Sequence, residues 1–510
     1  MVIELRRLLA PWPALAVHGD PTVAVASVVE DSRLAAPGTL FVAVTGAGAD
    51  GHRFVPQAVA AGATAVLVDA QRLPEFRAAL PQDSPVVWVT ASCTRGLAAR
   101  LARECEGRPD ESLCMVGVTG TNGKTTSAFL LQEMLGRLRG PCGLLGTIRY
   151  DDGEATEPAP LTTPGGPVLF RWLARMRDAG CRSAAMEVSS HALDQERPGD
   201  LALDAALLTN LGRDHLDYHG TVEAYLAAKL RILDRLAGER RAKAPGVAVV
   251  NAGDQALAPV RWSGGETVRY ATGSGSADSD LTVVAADLSL TGTRIELRWR
   301  GQPVTLASPL VGRFNVANLT AALAVGLALG ESPSDCVAAL AGISQVPGRM
   351  ERFVLPSGGL AVVDYAHTHD ALAAVLDTCR ELVQGSLAVV FGCGGDRDRG
   401  KRPLMGEVAA ALADRVWITS DNPRSEDPAA ICAEVAAGFT AAVRRRAASC
   451  EVVVDRRTAI EAALGAAGAG DVVVIAGKGH EDYQLVAGRV LHLDDREIVR
   501  AWIGRVADES

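Results

Sequence analysis

The sequence predicts an α/β protein of three domains, two of them built on parallel sheets. Three features predict it. A chain of 510 residues is longer than one hydrophobic core organises, so several domains are required. Short apolar runs rich in Val, Ile and Leu alternate with alanine-rich stretches of helical length, the pattern of sheets whose crossovers are helices. One such run, "CMVGVT" at 114–119, leads through a glycine-bearing turn into a helix starting near Lys124.

Taken in order, residues 1–105 carry "TLFVAV", "TAVLVDA" and "PVVWVT" around a helical segment near 56–62, a small α/β domain. From 106 to 345, "CMVGVT", "SAAMEV", "DAALLTN" and "GVAVVNA" are strands of a doubly wound parallel sheet. "LTVVAADLSLTGTRIELRWRGQPVTLA" then reads as a β-meander and "NVANLTAALAVGLALG" as a helix. "QVPGRMERF" marks a junction. Residues 346–510, with "LAVVDYA", "LAVVFGCGG", "RVWITSD", "EVVVD" and "DVVVIAGKG", form a Rossmann-like domain.

The formal charge of −9 argues against nucleic acid and anionic membranes, which require a basic face. Ten cysteines without a CxxC pair read as reduced, mostly buried thiols of a cytoplasmic protein. "LLAPWPALAV" after Arg6-Arg7 is broken by two prolines and lacks a small-residue cleavage site, so it is not read as a signal peptide. No apolar run approaches the ~20 residues that span a bilayer. The expected partners are small molecules, with no nucleic acid, no membrane insertion and a monomeric chain. Of 51 basic residues only five are lysine, at 124, 229, 243, 401 and 478. Such a chain keeps lysine by chance or where a titratable amine is needed.

Gly123-Lys124-Thr125 has the ending of a phosphate-binding loop, but Val118 stands where its first glycine belongs; the glycines are at 117 and 120. Gly120-Thr121-Asn122-Gly123 is therefore a shortened cradle. Phosphate capture needs converging backbone N–H groups, a helix N-terminus behind them and one cation. Lys124 supplies the cation and the Thr125 hydroxyl suits Mg²⁺. The stretch from Gly117, Val118 and Thr119 to Thr126 is read as binding ATP or GTP, against the plain alternative of a tight turn with an exposed lysine.

"GTNGKTT" resembles the loop of the Mur ligases, ATP-dependent peptide-forming enzymes of cell-wall precursor synthesis, and of their folylpolyglutamate synthetase relatives. The chain is most similar to the MurE branch. The resemblance rests on "DSR" at 31–33, "TTP" at 162–164, "MEVSSHAL" at 186–193, "TNLGRDHLDYHGTVEAYLAAK" at 209–229, "GRFNVAN" at 312–318, "VPGRMER" at 346–352, "DYAHT" at 364–368, "GCGGDRDRGKRPLMG" at 392–406, "DNPR" at 421–424 and "GKGHEDYQ" at 477–484. It implies three α/β domains that bind a UDP-sugar, ATP and an incoming amino acid in that order.

The activity it implies is ligation of an amino acid to the D-Glu γ-carboxylate of UDP-MurNAc-L-Ala-D-Glu. The carboxylate would first take the γ-phosphate of ATP, giving an acyl phosphate that an amine displaces. Such a site works by positioning and charge neutralisation. Lys124, Glu187, His215 and Lys229 are the implied catalytic residues. Thr125, Glu187, His215 and a carbamate on Lys229 are the implied magnesium ligands. Carbamylation needs a neutral amine, and only roughly one free lysine in a few thousand is neutral at pH 7. Asn315, Asn318, Arg349 and His367 are implied nucleotide contacts, and Ser32, Thr162, Thr163, Ser189, Gln195 and Arg197 the contacts of the UDP-sugar dipeptide. The chain departs from the family at Glu30, at Ala47-Gly48-Ala49 and at His369, where proline is usual.

"TSDNPRSEDP" follows the strand "RVWIT", at the carboxyl edge where open α/β sheets bind ligands. Turn chemistry explains Asp421, Asn422 and Pro423, but not Arg424, whose planar fork matches a carboxylate. Diaminopimelate is lysine with an added far carboxylate. Lysine would leave the guanidinium unpaired, a loss of about 3–5 kcal/mol if buried. Arg397 resembles a second carboxylate clamp, and Gly477 and Glu481 suit the far ammonium. The substrate read here is meso-diaminopimelate. The alternatives are an L-lysine-adding ligase and, from another class, a non-catalytic ATP-binding regulator.

Overall fold

The computed structural model describes residues 2–46, 49–79, 85–237, 243–273, 278–343 and 345–508. Of the Ala47-Gly48-Ala49 departure, the first two residues lie outside them. The chain divides into two compact units. One holds 1–284, 296–306 and 317–340; the other holds 285–295, 307–316 and 341–510.

In the first unit, an N-terminal sheet aligns Ser27–Val29, Thr39–Val42, Ala65–Asp69 and Val87–Ala91 in parallel, with Ala16–His18 antiparallel on its edge. Alternation along each strand feeds two faces. Phe41, Val66 and Val68 pack into one core with Trp88, while Leu40, Val42 and Leu67 join a second. That second core also holds Leu169, Phe170 and Trp172 of helix Gly166–Asp178 and Met115 of the next sheet. The helix approaches Leu97–Cys105 so closely that a Cβ on Gly166 would lie 2.3 Å from Ala99 Cβ.

The larger sheet runs parallel through Cys142–Leu145, Ser183–Glu187, Cys114–Thr119, Ala205–Leu208, Val247–Asn251 and Thr267–Ala271. Leu281–Ser289, Gly292–Trp299 and Gln302–Ser308 follow in order, the expected meander. The first strand in sequence, Cys114–Thr119, lies between the third and the fourth. The strand order therefore reverses beside it, which places its loop at a topological switch point.

In the second unit, Leu360–Asp364, Val472–Ala476, Leu387–Phe391, Arg415–Ile418 and Ser449–Val452 run parallel, and Glu351–Val354 closes one edge antiparallel. Both faces are covered, which explains the unbroken apolar runs. Val389, Phe391 and Val474 point into one core, Ala388, Val390 and Ile475 into the other. All ten cysteines are unpaired thiols, seven of them buried. Among the described residues no helix is long and apolar enough to cross a membrane.

Candidate active site

Both glycines of the shortened loop are required by its geometry. Gly120 has φ +152°, and a Cβ there would lie 1.9 Å from Thr209 Oγ1; Gly123 has φ +84°, and a Cβ would lie 2.5 Å from Asn318 Oδ1. The loop is braced from the next strand's end. Thr209 Oγ1 donates to Asn122 O (2.7 Å), and Asn210 accepts from Asn122 N at Oδ1 (2.9 Å) while its Nδ2 donates to Asn122 O (3.0 Å). Helix Lys124–Arg139 starts without a side-chain cap, so its first N–H groups face the loop, as anion binding demands. Lys124 Nζ donates to Gly120 O and Thr121 O at 2.8 and 2.9 Å.

Glu187 is the hub of the site. It ends its strand 1% exposed. Its carboxylate accepts from Thr125 Oγ1 (2.9 Å), Thr147 N (2.7 Å) and Thr147 Oγ1 (3.1 Å), and its backbone oxygen accepts from Thr163 Oγ1 (2.9 Å). Thr147 Oγ1 is 3.1 Å from Thr162 Oγ1. Thr163 Oγ1 also accepts from Ser189 N (3.0 Å), and Arg197 Nη1 donates to Thr163 O (3.2 Å) while gripping Gln195 Oε1 at 2.7 and 3.0 Å. One network thus joins the expected phosphate and sugar-dipeptide residues. Ser32 is not part of it: buried in the N-terminal sheet region, it donates to Gln57 Oε1 (2.9 Å). Glu30, the departure, does face the network. A Cβ on Gly165 would lie 1.9 Å from its Oε1. Desolvation raises its pKa, with Arg197 opposing.

Lys229 is 2% exposed, although its helix reads as amphipathic with a solvated lysine. Its Nζ donates to Gly120 O (2.8 Å) and sits 4.3 Å from the Tyr225 ring centroid. Burial, and secondarily the charge of Lys124, lower its pKa to about 6. Burial thus favours the neutral amine near pH 7. The Lys229 helix, Val222–Leu230, tightens directly into a 3₁₀ turn, Arg231–Leu236.

His215 is a left-handed residue (φ +53°), its ring 4.7 Å from His191 and 6.2 Å from Tyr225 between centroids. Among the described residues no three His, Cys, Asp or Glu side chains gather as a metal cage. The oxygen pair Thr125 and Glu187 nevertheless fits Mg²⁺, which takes one or two protein oxygens and fills its octahedron with phosphate and water. Asn318 touches the loop, whereas Asn315 is occupied by Val311 O (2.8 Å). In the second unit Arg349 stacks over Tyr365, 4.7 Å to the centroid, and His367 Nδ1 lies 2.9 Å from Tyr365 O. His369 opens helix His369–Leu382, capped by Thr368, so the missing proline leaves the helix start intact.

The second unit also assembles the "DNPR" and "GKGHE" segments. Asn422 Nδ2 donates to Glu481 Oε2 (2.8 Å), and its Oδ1 accepts from Leu485 N (2.9 Å). A Cβ on Gly477, φ +116°, would lie 2.6 Å from Asp421 Oδ2. Arg424 holds a left-handed backbone, φ +54°, which costs an ordinary residue about 1–2 kcal/mol. Its Nη1 donates to Gly395 O (2.7 Å). Arg397 stays exposed on the 392–400 loop. Glu426 pins that loop, accepting from Asp396 N and from Arg402, a side chain 0% exposed.

Models of three Mur ligase regions match this chain: the Mur ligase family catalytic domain at 25–93, the Mur ligase middle domain at 118–326 and the Mur ligase glutamate ligase domain at 348–479. The UDP-N-acetylmuramoyl-L-alanyl-D-glutamate–2,6-diaminopimelate ligase of Synechococcus elongatus is 43% identical, over 98% of each chain. The chain belongs to the Mur ligase family, in its MurE branch. The same-named protein of Chlorobaculum tepidum is 41% identical over 98% of this chain and 97% of its own. A solved structure of a ligase of that name is similar to this Mur ligase with a TM-score of 0.69 and 33% identity, covering 99% and 100% of the two chains. A MurF ligase from Thermotoga maritima in complex with ADP shares the fold (TM-score 0.60, 21% identity, 95% and 98% covered).

Sequence reasoning missed Thr147, Thr209 and Asn210. The last two stand inside a quoted motif. Thr147 had only its place two residues beyond a strand end to mark it. A cavity of about 660 Å³ at the opposite edge of the sheet, near Cys114 and Val247, is no rival site. The charges lining it are paired, Arg139 with Glu331 and Lys243 with Asp204.

Proposed function

We propose that this Mur ligase joins meso-2,6-diaminopimelate to the D-Glu γ-carboxylate of UDP-MurNAc-L-Ala-D-Glu, forming ADP and phosphate, in cytoplasmic peptidoglycan precursor synthesis. The single observation that carries the reading is the Glu187 network, which ties the phosphate loop to Thr162, Thr163, Ser189, Gln195 and Arg197. A phosphate donor at the loop and a carboxylate acceptor beside those hydroxyls would meet there. The names of the relatives supply the substrates.

The division of labour follows the residues. The loop amides and Lys124 hold the β- and γ-phosphates, and neutralise charge as the acceptor oxygen closes on the γ-phosphorus. Asn318 lies at the loop, and Arg349 and His367 keep the nucleotide role that the family resemblance implies for them. Magnesium, held by Thr125 and Glu187 with His215, would supply further charge compensation to the phosphates. The amine of diaminopimelate then attacks the acyl phosphate, and phosphate leaves. Arg424 and Arg397 take its far carboxylate, Gly477 O and Glu481 its ammonium. The domain division is 1–105, 106–345 and 346–510.

Lys229, its neutral form favoured by burial and in contact with Gly120 O, can add CO₂ at Nζ and release a proton to become a carbamate anion. Chemical rescue tests it: short carboxylic acids should restore part of the activity of Lys229→Ala, and no rescue at any concentration overturns the carbamate. For the reaction as a whole, purified protein with all three substrates should release ADP in step with a new amide. No ADP, or ADP without amide, overturns it. Side-by-side turnover with L-lysine decides between the two amines, since lysine brings no far carboxylate to Arg424 and should be turned over less efficiently.

A further inference from the structure

Beneath the 419–426 and 476–485 segments lies an arginine that reaches no solvent. Arg456, the first residue of helix Arg456–Gly465, is 1% exposed and its partner Asp495 0%. Nε donates to Asp495 Oδ1 (2.8 Å) and Nη2 to Oδ2 (2.6 Å). Two more of the fork's donors reach backbone carbonyls, Nη1 that of Ser420 (3.3 Å) and Nη2 that of Ala476 (3.0 Å). Ser420 leads directly into Asp421-Asn422-Pro423-Arg424, and Ala476 into Gly477. The strands that end there, Arg415–Ile418 and Val472–Ala476, are not neighbours, because Leu387–Phe391 runs between them. No ladder hydrogen bond therefore joins the two ends directly; the guanidinium does.

Stability alone does not ask for this pair. A buried ion pair is often no better than apolar side chains of its volume, and a cation at a helix N-terminus faces the wrong end of the dipole. A rigid planar fork, by contrast, sets a spacing. Above it the two segments are tied again by Gln484 Nε2 to Asp421 O (2.7 Å) and by Asn422 to Glu481.

We propose that Arg456, oriented by Asp495, is a positioning residue: it sets the distance between the Arg424 and Glu481 segments and so the length and far-end chemistry of the amino acid accepted. This rests on reading those segments as the diaminopimelate site.

The test is steady-state kinetics of the full chain carrying Arg456→Met, and of Arg456→Met/Asp495→Leu, in which no charge is buried alone. KM for diaminopimelate should rise about tenfold or more, and the preference over L-lysine should narrow. KM for ATP and for the dipeptide, with kcat at saturating amine, should stay within about twofold. If the single variant does not fold, the double variant decides. A folded double variant with parental KM and parental preference overturns the proposal, as does one in which kcat alone falls. Arg424→Ala separates the two readings. A parent that forms no diaminopimelate amide overturns the site assignment and this proposal with it. A parent that does, weakened by Arg424→Ala but not by the double variant, overturns this proposal alone.

Discussion

Glu187 and Lys229 illustrate what a single side chain contributes. The Glu187 carboxylate takes three hydrogen bonds from Thr125 and Thr147, so Glu187→Gln, which puts a donor where two oxygens are needed, should lower kcat about hundredfold with little change in fold. A melting temperature that falls with kcat would make the residue structural instead. Lys229 acts in the opposite sense. Because its folded pKa, about 6, is depressed below that of the unfolded chain, unfolding takes up a proton at neutral pH, and stability rises with pH between about 6 and the ordinary lysine value. Lys229→Met should therefore melt higher than the parent at pH 7 in bicarbonate-free buffer, a stabilisation of up to about 5 kcal/mol, while ligase activity is lost. A lower melting temperature would show that the buried amine is not a burden. Lysine scarcity pointed to residue 229, but its burial was not legible, since alternation along "VEAYLAAKLRIL" looks the same whether one face meets water or a second sheet-edge loop.

The elements were legible to the extent that their signals are local. Strand, glycine turn and helix at 114–139 follow from propensity and capping within a few residues. What braces the turn does not, because Thr209 and Asn210 lie some ninety residues further along and reach Asn122 only through strand order. The same holds for Thr147 at Glu187. Arg424 was legible as a residue that a turn does not need; its left-handed backbone was not. Gly120→Ala tests the turn as an element. With φ +152° and Thr209 in the way, the backbone must move at a cost of about 1–3 kcal/mol. KM for ATP should rise tenfold or more while circular dichroism is unchanged. An unchanged KM would mean that phosphate is not held there.

At the scale of the whole molecule, the two units carry separate cores and need not share one acid limit. In the second unit His480 is half-buried, with its ring 5.0 Å from Tyr365, and its Nδ1 has no hydrogen-bond partner. Burial above all, then the charges of Arg349, Arg496 and Lys478, depress its pKa to about 3, with Asp494 opposing. An ordinary histidine in the unfolded chain binds a proton below about 6.5, whereas this one stays neutral until about 3. Between those values the unfolded state holds more protons, so stability falls as pH drops through 6.5 and the loss is complete near 3. At pH 5 the difference is on the order of 1–2 kcal/mol relative to pH 8. Replacing the titrating ring in His480→Asn removes that contribution but not the others, so the variant should lose less melting temperature than the parent between pH 8 and pH 5. The comparison is a difference of differences, which cancels the carboxylates common to both proteins. Equal losses in the two would mean that His480 is protonated in the folded unit, and that Arg349 and Arg496 do not crowd it as the structure shows.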